Sequence, residues 1–335
     1  MKAIGYQKSL PVDDPLALQD IDLPKPEAQG KDLLVRVEAI SVNPVDAKVR
    51  KRAEPEGGGF KVLGFDAAGV VESVGDEVTL LQPGDEVWYA GAIDRQGTNA
   101  EFHLVDERIV SKKPESLTYV QAAALPLTSV TAWEILFDRL GLDAESTGTL
   151  LVIGGAGGVG SILIQLAKQR TNLTIIATAS RPETQEWVTH LGADVVVNHR
   201  NSLLEELKAV GIEQVEYITS LTNTGDHLEA IAEIIAPQGK LAVIDDPPVL
   251  DVMPFKWKSV SIHWELMFTR ALYQTDDMIE QHRLLAEVAA MVDRGEVQTT
   301  AAEEYGTICA ENLRKAHQLI ESGTAKGKIV LTGWG

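Results

Sequence analysis

Residues 154–160 have the composition and the flanks of a phosphate-binding loop. They read Gly-Gly-Ala-Gly-Gly-Val-Gly, after an apolar, β-rich run at 149–153 and before a helix-forming run at 161–168. This strand, glycine turn and helix are the context that the dinucleotide-binding pattern G-x-G-x-x-G requires. Free backbone N–H groups at the helix start are predicted to hold a pyrophosphate. The residues of this predicted site are Gly155, Gly157, Gly158, Val159 and Gly160.

The end of the next predicted strand indicates which dinucleotide binds. Residues 174–179 form that strand, and Ser180-Arg181 follow it, with no acidic residue before Glu183. An Asp or Glu at this point accepts from the ribose of NAD, whereas Arg and small hydroxyls suit the 2′-phosphate of NADP. Ser180 and Arg181 therefore favour NADPH, and the alternative is an ordinary surface arginine.

Composition and charge limit the class of protein. The 335 residues are 44% hydrophobic and 24% charged, which is typical of a globular chain long enough for two domains. The net charge, 30 minus 49, is −19, and it opposes binding to nucleic acids or anionic membranes. The single Cys309 excludes an internal disulfide. We expect no apolar run of membrane-spanning length and no signal peptide, and hence a cytoplasmic protein.

The order of elements predicts two kinds of architecture. Residues 1–125 read as short β-strands, among them 33–40, 69–75 and 85–89, with a flexible loop at 54–60. Strands and helices then alternate in a doubly wound unit. Its predicted strands include 195–198, 215–219 and 239–244, and its predicted helices are 182–191, 202–210 and 226–236. A helix at 277–294, with Asp277 and Glu280 as a capping box, and a strand at 327–331 complete the chain.

Four further stretches, in register with the glycine loop, carry a family resemblance. They are 41–46 (Ser-Val-Asn-Pro-Val-Asp), 64–71 (Gly-Phe-Asp-Ala-Ala-Gly-Val-Val), 83–87 (Pro-Gly-Asp-Glu-Val) and 124–128 (Ala-Leu-Pro-Leu-Thr). The chain resembles the medium-chain dehydrogenase/reductase superfamily, and within it the zinc-free NADPH:quinone oxidoreductases related to zeta-crystallin. The resemblance implies an α/β fold: a GroES-like, mostly β catalytic domain (1–125 with 267–335) and an inserted Rossmann domain (126–266). It also implies a dimer or a tetramer, and we expect a homodimer.

Departures from the zinc-bearing relatives bear on the mechanism. Where those relatives carry a metal-binding Cys this chain has Asp46, and their Gly-His-Glu element reads Gly64-Phe65-Asp66. Phenylalanine cannot bind a metal, and the seven histidines are scattered without ligand spacing. We therefore expect no metal site, with Asp46 capping a helix.

Without a metal, a hydrogen-bond donor must stabilise the acceptor oxygen. Asn43 is the first candidate, as catalytic donor and coenzyme contact, and its alternative is a turn residue before Pro44. Tyr89 is a second candidate donor, and its alternative is packing. Thr128 matches a family position near the nicotinamide, or else caps the helix that follows.

Five other coenzyme contacts follow from the resemblance alone. They are His199 near the adenosine, Leu221 and Asp245 at strand ends, Phe268 beside the nicotinamide, and Lys328 in the last strand.

The sequence thus predicts a zinc-independent reductase that passes hydride from NADPH to a quinone or an unsaturated carbonyl compound. A 2-alkenal or enoyl reductase, and an NADPH-binding protein without turnover, stay open as alternatives.

Overall fold

The computed structural model describes residues 1–335, except for the side chain of Glu56. Its contacts divide the chain into two units. Unit 1 comprises Met1–Val130 and Phe268–Gly335, and unit 2 comprises Thr131–Met267. Both chain ends therefore build unit 1, and unit 2 is one continuous segment between them.

Unit 1 consists mainly of β-strands in two sheets. Its strands are β1 (Lys2–Tyr6), β2 (Gln19–Asp22), β3 (Asp32–Val42), β4 (Lys61–Val62), β5 (Asp66–Val74), β6 (Glu86–Ala90), β7 (Phe102–Asp106), β8 (Val110–Lys112), β15 (Ala301–Glu304) and β16 (Lys328–Thr332). The small sheet has the order β2-β1-β4. The large sheet has the order β15-β16-β3-β5-β6-β8, with β7 also paired to β3.

The pairing of β16 with β3 brings the C-terminal segment back to the N-terminal one. The two strands are antiparallel, with Val330 opposite Ser41 and Ile329 opposite Val42. β3 is buried along most of its length, and Arg36 is its exposed residue. A long strand that is apolar on both faces needs cover on both sides, and it lies at the centre of the unit 1 core.

The helices of unit 1 are short apart from two near the C-terminus. They are α1 (Pro44–Arg52), α2 (Tyr119–Ala123), α3 (Pro126–Trp133), α8 (Thr269–Tyr273), α9 (Glu280–Asp293) and α10 (Ala310–Glu321). α3 extends past the border of the unit at Val130. α1 begins at a proline directly after Asn43, because proline fixes the backbone for the first helical position and needs no N–H partner there.

Unit 2 is a parallel sheet with connecting helices. Its elements are β9 (Thr149–Ile153), α4 (Gly158–Arg170), β10 (Thr174–Thr178), α5 (Pro182–His190), β11 (Val195–Val197), α6 (Leu203–Ala209), β12 (Val215–Ser220), α7 (Thr224–Ile234), β13 (Ile235–Val243) and β14 (Ser261–Trp264). The strand order is β11-β10-β9-β12-β13-β14, with all neighbours parallel. Counted from β9 this is the order 3-2-1-4-5-6 of dinucleotide-binding folds. The predicted α/β fold class is confirmed.

Two predicted helix boundaries were wrong. The helix predicted at 226–236 ends at Ile234, and β13 starts at the next residue, because Pro237 drives the residue before it into an extended conformation. The helix predicted from Asp277 begins at Glu280. The Asp277 carboxylate does not cap it, since this group pairs with Arg270, 3.0 Å from its Nε.

The expectation that no run reaches membrane-spanning length was also wrong. The stretch Tyr119–Arg139, in which Ala124 and Leu125 separate α2 from α3, has 21 residues, and an 18-residue window within it has a mean hydropathy of 1.3. However, 78% of its apolar window is buried inside the protein, as in the core helix of a globular domain. It ends in a π-helical turn at Glu134–Arg139.

Candidate active site

The glycine loop connects β9 to α4 at the carboxyl end of the parallel sheet. Gly160 must be glycine, because a Cβ there would lie 2.5 Å from the carbonyl oxygens of both Gly154 and Gly155. Gly157 is different: the nearest atom to an added Cβ would be the Gly154 oxygen at 3.5 Å. The space above Gly157 is therefore open to a ligand, while the space at Gly160 is filled by the loop itself.

The start of α4 has the properties of an anion-binding site. Gly157 is its N-cap and provides no side chain that could occupy the first N–H groups of the helix. Those groups belong to Gly158, Val159 and Gly160, and the helix has thirteen residues whose dipole adds partial positive charge here. An open approach and free donors together fit the pyrophosphate of a dinucleotide.

The parallel topology brings the other predicted contacts of unit 2 to the same edge of the sheet. Because all six strands run in one direction, every residue that follows a strand lies at the carboxyl edge. The predicted residues found there are Ser180 and Arg181 after β10, His199 after β11, Leu221 after β12 and Asp245 after β13. The Cβ of Leu221 lies 3.4 Å from the position that an added Cβ on Gly154 would occupy.

Arg181 lies at the N-cap position of α5, where it is partly exposed. Its Nε pairs with Oε1 of Glu183 at 2.9 Å, and the side chains are 31% and 57% exposed. An ion pair between exposed groups contributes only about 0–1 kcal/mol, so a phosphate can replace the Glu183 carboxylate at little cost. Ser180 is also partly exposed. Both side chains fit a role at the 2′ position of NADPH.

Asp245 has a role that the sequence did not reveal. Its Oδ2 accepts the N–H of Thr224 at 2.9 Å, and its Oδ1 accepts the hydroxyl of the same residue. The Thr224 hydroxyl also lies 2.7 Å from that of Ser220. Asp245 therefore caps the start of α7, and its coenzyme contact stays a prediction.

A cavity of about 430 Å³ opens beside His199. The residues that line it are His199, Asn201, Ser202, Leu203, Asn223, Asp226, His227 and Ala230. Sequence reasoning missed His227, because a separation of 28 residues along the chain gives no sign that the two histidines meet. The register of β11 and the position of α7 bring them together.

Unit 1 holds a buried polar cluster around Asp66, at the start of β5. Asp66 Oδ2 accepts from the Ser41 hydroxyl at 2.8 Å, from Asn43 Nδ2 at 2.8 Å and from Lys328 Nζ at 2.9 Å. Its Oδ1 accepts the N–H of Leu127 at 2.7 Å. Every oxygen of this buried carboxylate therefore has a donor, as a stable buried charge requires.

Lys328 is part of this cluster, and its geometry argues against the coenzyme contact expected from the resemblance. The side chain is 3% exposed. Its three N–H donors go to Asp66, to the Val42 carbonyl at 3.1 Å and to Oδ1 of Asn43. No donor of the ammonium is left for a ligand.

Asn43 is the N-cap of α1, and one donor of its amide remains. Oδ1 accepts from Lys328 and one N–H of Nδ2 goes to Asp66. The second N–H of Nδ2 has no partner among the described residues, so it is the one remaining donor of this amide, on a residue that is 1% exposed. Since Lys328 and Asp66 hold both ends of the amide, its orientation is fixed. The turn at Asn43-Pro44 is thus a helix start, and the catalytic prediction stands beside that structural role.

Asp46 has the capping function expected of it. Its Oδ2 accepts the N–H of Asn43 at 2.8 Å, which is part of the capping box of α1. Its Oδ1 accepts the N–H of Gly64 at 3.0 Å. Burial raises the pKa of this carboxyl to about 7, against the opposing effects of the two N–H groups and of Lys328.

The remaining three predicted positions are buried in unit 1. Tyr89 is fully buried, its hydroxyl lies 3.0 Å from Nδ1 of His103, and burial raises its pKa, all of which argues against a proton donor. Phe268 packs on Phe65, with ring centroids 4.9 Å apart. Thr128 lies inside α3 and donates its hydroxyl to the Leu125 carbonyl at 3.0 Å, so it does not act as the N-cap.

Comparisons with known proteins identify the family. Residues 191–331 match the family model described as zinc-binding dehydrogenase, and residues 29–115 match the alcohol dehydrogenase GroES-like domain. A zinc-type alcohol dehydrogenase-like protein of Staphylococcus aureus (strain MSSA476) is 41% identical, over 99% of each chain.

Solved structures agree with this assignment. A Rhizobium etli CFN 42 protein, provisionally described as a zinc-dependent alcohol dehydrogenase, is 55% identical with a TM-score of 0.97, covering 100% of this chain and 98% of that one. The quinone oxidoreductase of Escherichia coli, solved in complex with NADPH, shares the fold at 22% identity and a TM-score of 0.84, covering 99% of this chain and all of the other.

The names of two of these relatives mention zinc, but the residues present in this chain do not fit a zinc ion. Both oxygens of Asp46 accept backbone N–H groups, Phe65 offers no donor atom, and Asp66 already holds the Lys328 ammonium. Within the described part of the chain, no group of three or more His, Cys, Asp or Glu side chains could hold a metal ion.

The identity to relatives over the full length of the chain, together with the sheet order and the glycine loop, establishes the assignment. The chain belongs to the medium-chain dehydrogenase/reductase superfamily, a family of nicotinamide-dependent oxidoreductases.

Proposed function

We propose that this protein is a zinc-independent, NADPH-dependent reductase of quinones or related carbonyl compounds. The observation that carries the proposal is the pair Ser180 and Arg181 at the end of β10, where an NAD-binding chain has an acidic residue. The donor set around Asp46, Phe65 and Asp66 supports the absence of zinc, because a lysine ammonium neutralises Asp66.

The residues of unit 2 fit the coenzyme in a definite order. The N–H groups of Gly158, Val159 and Gly160 would hold the pyrophosphate, and Ser180 and Arg181 the 2′-phosphate. When bound, NADPH supplies a hydride to the acceptor. The role of the chain is to bind and orient the coenzyme, and its open surface above Gly157 admits the phosphates.

On the acceptor side, Asn43 would act through its remaining Nδ2–H. A neutral amide donor can stabilise negative charge that develops on a carbonyl oxygen without giving up a proton. Its fixed orientation, held by Asp66 and Lys328, means that little reorganisation is needed when this charge appears. The proton that completes the reduction would come from solvent.

Steady-state assays with a panel of acceptors test the proposal. NADPH oxidation, followed by its absorbance, should be fast with 1,4-benzoquinone or 9,10-phenanthrenequinone and slower with NADH. Faster turnover of 2-alkenals or enoyl thioesters than of quinones would instead indicate an enal or enoyl reductase. Tight NADPH binding with no oxidation by any acceptor would indicate a non-catalytic binding protein.

Elemental analysis of the active preparation tests zinc independence. We expect much less than one zinc per chain and unchanged activity after treatment with a chelator. Stoichiometric zinc that is lost together with activity on chelation would overturn the proposal.

We also propose a homodimer formed through β14. This strand is the last in the sheet, so its outer edge has unpaired backbone groups, and two copies of one edge can pair around a twofold axis. Large apolar side chains nearby are exposed, among them Trp264 at 55%, Trp257 at 93% and Met253 at 62%. Light scattering should give twice the chain mass, and Trp264→Arg should yield monomers where Leu80→Arg does not. A monomeric wild-type protein would contradict the proposed dimer.

We also propose that the protein is located in the cytoplasm.

A further inference from the structure

Helix α5 is bonded to the start of α4 through two side chains. The indole of Trp187, in α5, donates its N–H to the Ser161 hydroxyl at 2.8 Å. Ser161 lies near the start of α4 and is fully buried. Its hydroxyl donates in turn to the carbonyl oxygen of Gly157 at 2.7 Å. These two hydrogen bonds therefore connect α5 to the residue at which the glycine loop becomes a helix.

The chemistry of the indole sets the direction of both bonds. An indole N–H can only donate, so the Ser161 oxygen must accept from Trp187, and the hydroxyl proton is left for Gly157. The Gly157 oxygen also accepts the backbone N–H of Ser161 at 2.9 Å, so both of its lone pairs are used. Hydrogen bonds in such a chain polarise one another. The orientation of the Gly157 carbonyl is therefore fixed from outside α4 as well as from within it.

The orientation of this carbonyl determines the direction of one anion donor. The C=O of Gly157 and the N–H of Gly158 belong to the same peptide group, which is planar and trans, so the two bonds point in opposite directions. The carbonyl points along α4, and the N–H therefore points out of the start of the helix. Gly158 is the first residue of α4, and its N–H is one of the groups that fit a pyrophosphate.

The other end of the glycine loop is held by the same part of the chain. Gly154, whose φ of 87° favours glycine, donates its N–H to Oγ1 of Thr178 at 3.0 Å. Thr178 is the last residue of β10 and is buried. Thr178 and Trp187 lie on either side of Ser180 and Arg181 in the sequence. The segment expected to bind the 2′-phosphate therefore also holds both ends of the loop expected to bind the pyrophosphate.

We propose that Trp187 is a positioning residue for the coenzyme, which acts through Ser161 on the Gly157–Gly158 peptide and so directs the Gly158 N–H at the pyrophosphate. The inference rests on the proposed function only in assuming that a dinucleotide binds at the glycine loop. Because NADP⁺ and NAD⁺ both contain the pyrophosphate, Trp187 contributes equally to the binding of each. Arg181, by contrast, distinguishes between them.

Isothermal titration calorimetry of the full-length protein with NADP⁺ and NAD⁺, in a phosphate-free buffer, tests the positioning role without turnover. W187F keeps an aromatic ring and removes the indole N–H, and S161A removes the hydroxyl. Each should raise the Kd of both coenzymes by the same factor, roughly three- to tenfold, as expected for the loss of one neutral hydrogen bond. W187F/S161A should bind no more weakly than S161A, because the two side chains act as one chain of bonds.

A second tryptophan provides a matched control. Trp334, in unit 1, is also partly exposed and donates its indole N–H to the Val37 carbonyl at 3.1 Å. W334F therefore removes the same kind of bond away from the loop, and both Kd values should stay as in wild type. Circular dichroism and thermal melts confirm that each variant is folded. S161A, which places a good helix former in α4, provides the test independently of W187F.

The outcomes separate this inference from the proposed function. A lower thermal midpoint of W187F with unchanged Kd values would show that Trp187 only packs, and would reject the positioning role while NADPH stays the coenzyme. A raised Kd for NADP⁺ alone would also reject it, because the effect would then come from the 2′-phosphate. Equal affinities of wild type for NADP⁺ and NAD⁺ would reject the NADPH assignment alone, and binding of neither would reject both.

Discussion

The Asp66 carboxylate and the Lys328 ammonium, 2.9 Å apart and almost completely buried, join β5 to the last strand of the chain. They are separated by 262 residues in sequence. Asp66 also binds Ser41, Asn43 and the backbone of Leu127, so one carboxylate connects β3, the start of α1, α3 and β16. A buried charge of this kind is costly unless its partners stay in place, and the cluster therefore fixes the geometry of Asn43.

Removal of the lysine charge should destabilise the protein strongly. Lys328→Met leaves Asp66 buried without its cation, and loss of one partner of a buried ion pair typically costs about 3–5 kcal/mol. Denaturant unfolding should show this loss, and a smaller loss for Asp66→Asn combined with Lys328→Met, in which no charge is left unpaired. Lys315→Met, at an exposed pair with Glu311, is the control. Unchanged stability of Lys328→Met would show that the pair is not what holds β16.

Two glycines of one loop should respond in opposite ways to the same substitution. Gly160→Ala places a Cβ 2.5 Å from two backbone oxygens, so it should destabilise the fold by roughly 2 kcal/mol or more. Gly157→Ala meets only one atom, at 3.5 Å, so its thermal midpoint should be nearly unchanged. Its methyl group, however, lies where the phosphates approach, and we expect about tenfold weaker NADPH binding, or a loss of about 1.4 kcal/mol. Thermal melts and coenzyme titrations of both variants check this. NADPH binding by Gly157→Ala as tight as that of wild type would show that the glycine loop does not bind the coenzyme.

Arg181 should discriminate between the two coenzymes. Arg181→Ala removes a charge-assisted contact worth about 1.5–3 kcal/mol, so KM for NADPH should rise roughly ten- to a hundredfold. KM for NADH should change little, since NADH lacks the phosphate. Steady-state kinetics with each coenzyme measure both values. Glu183→Gln, which removes the ion-pair partner and keeps the guanidinium, should leave KM for NADPH unchanged or lower it. Similar losses with both coenzymes in Arg181→Ala would contradict the assignment.

The fold and the predicted coenzyme-binding residues at the carboxyl edge of the unit 2 sheet could be predicted from the sequence, because the signals are local. The glycine pattern, its flanking strand and helix, and the residues after β10 are contiguous in the chain, and parallel topology then determines where they lie. Helix ends could not be predicted where the expected capping residue has another partner. Asp277, for example, binds Arg270 instead of capping α9.

Contacts between distant segments could not be predicted from the chain. Nothing in the order of residues shows that Lys328 meets Asp66, that His227 meets His199, or that Tyr89 meets His103. Each pairing depends on strand register and on packing across the core. For this reason Lys328 and Tyr89, expected at the surface of a site, lie in the interior.

His317, in α10, should make the protein sensitive to acid. It is fully buried, neither ring nitrogen has a partner among the described residues, and burial, assisted by Arg50 and Lys51, lowers its pKa to about 3. In the unfolded chain a histidine has a pKa of about 6.5, so below that pH the unfolded state binds a proton that the folded state does not. The stability that this residue contributes is therefore present above pH 6.5 and is lost as the pH falls, by about 1.4 kcal/mol per unit. His317→Leu removes this pH dependence. The free energy of unfolding of the variant, measured by denaturant unfolding relative to that of wild type, should therefore increase by about 2 kcal/mol between pH 7 and pH 5. His190→Leu, at an exposed position, is the control, and parallel pH profiles for wild type and His317→Leu would rule out the buried histidine as the cause.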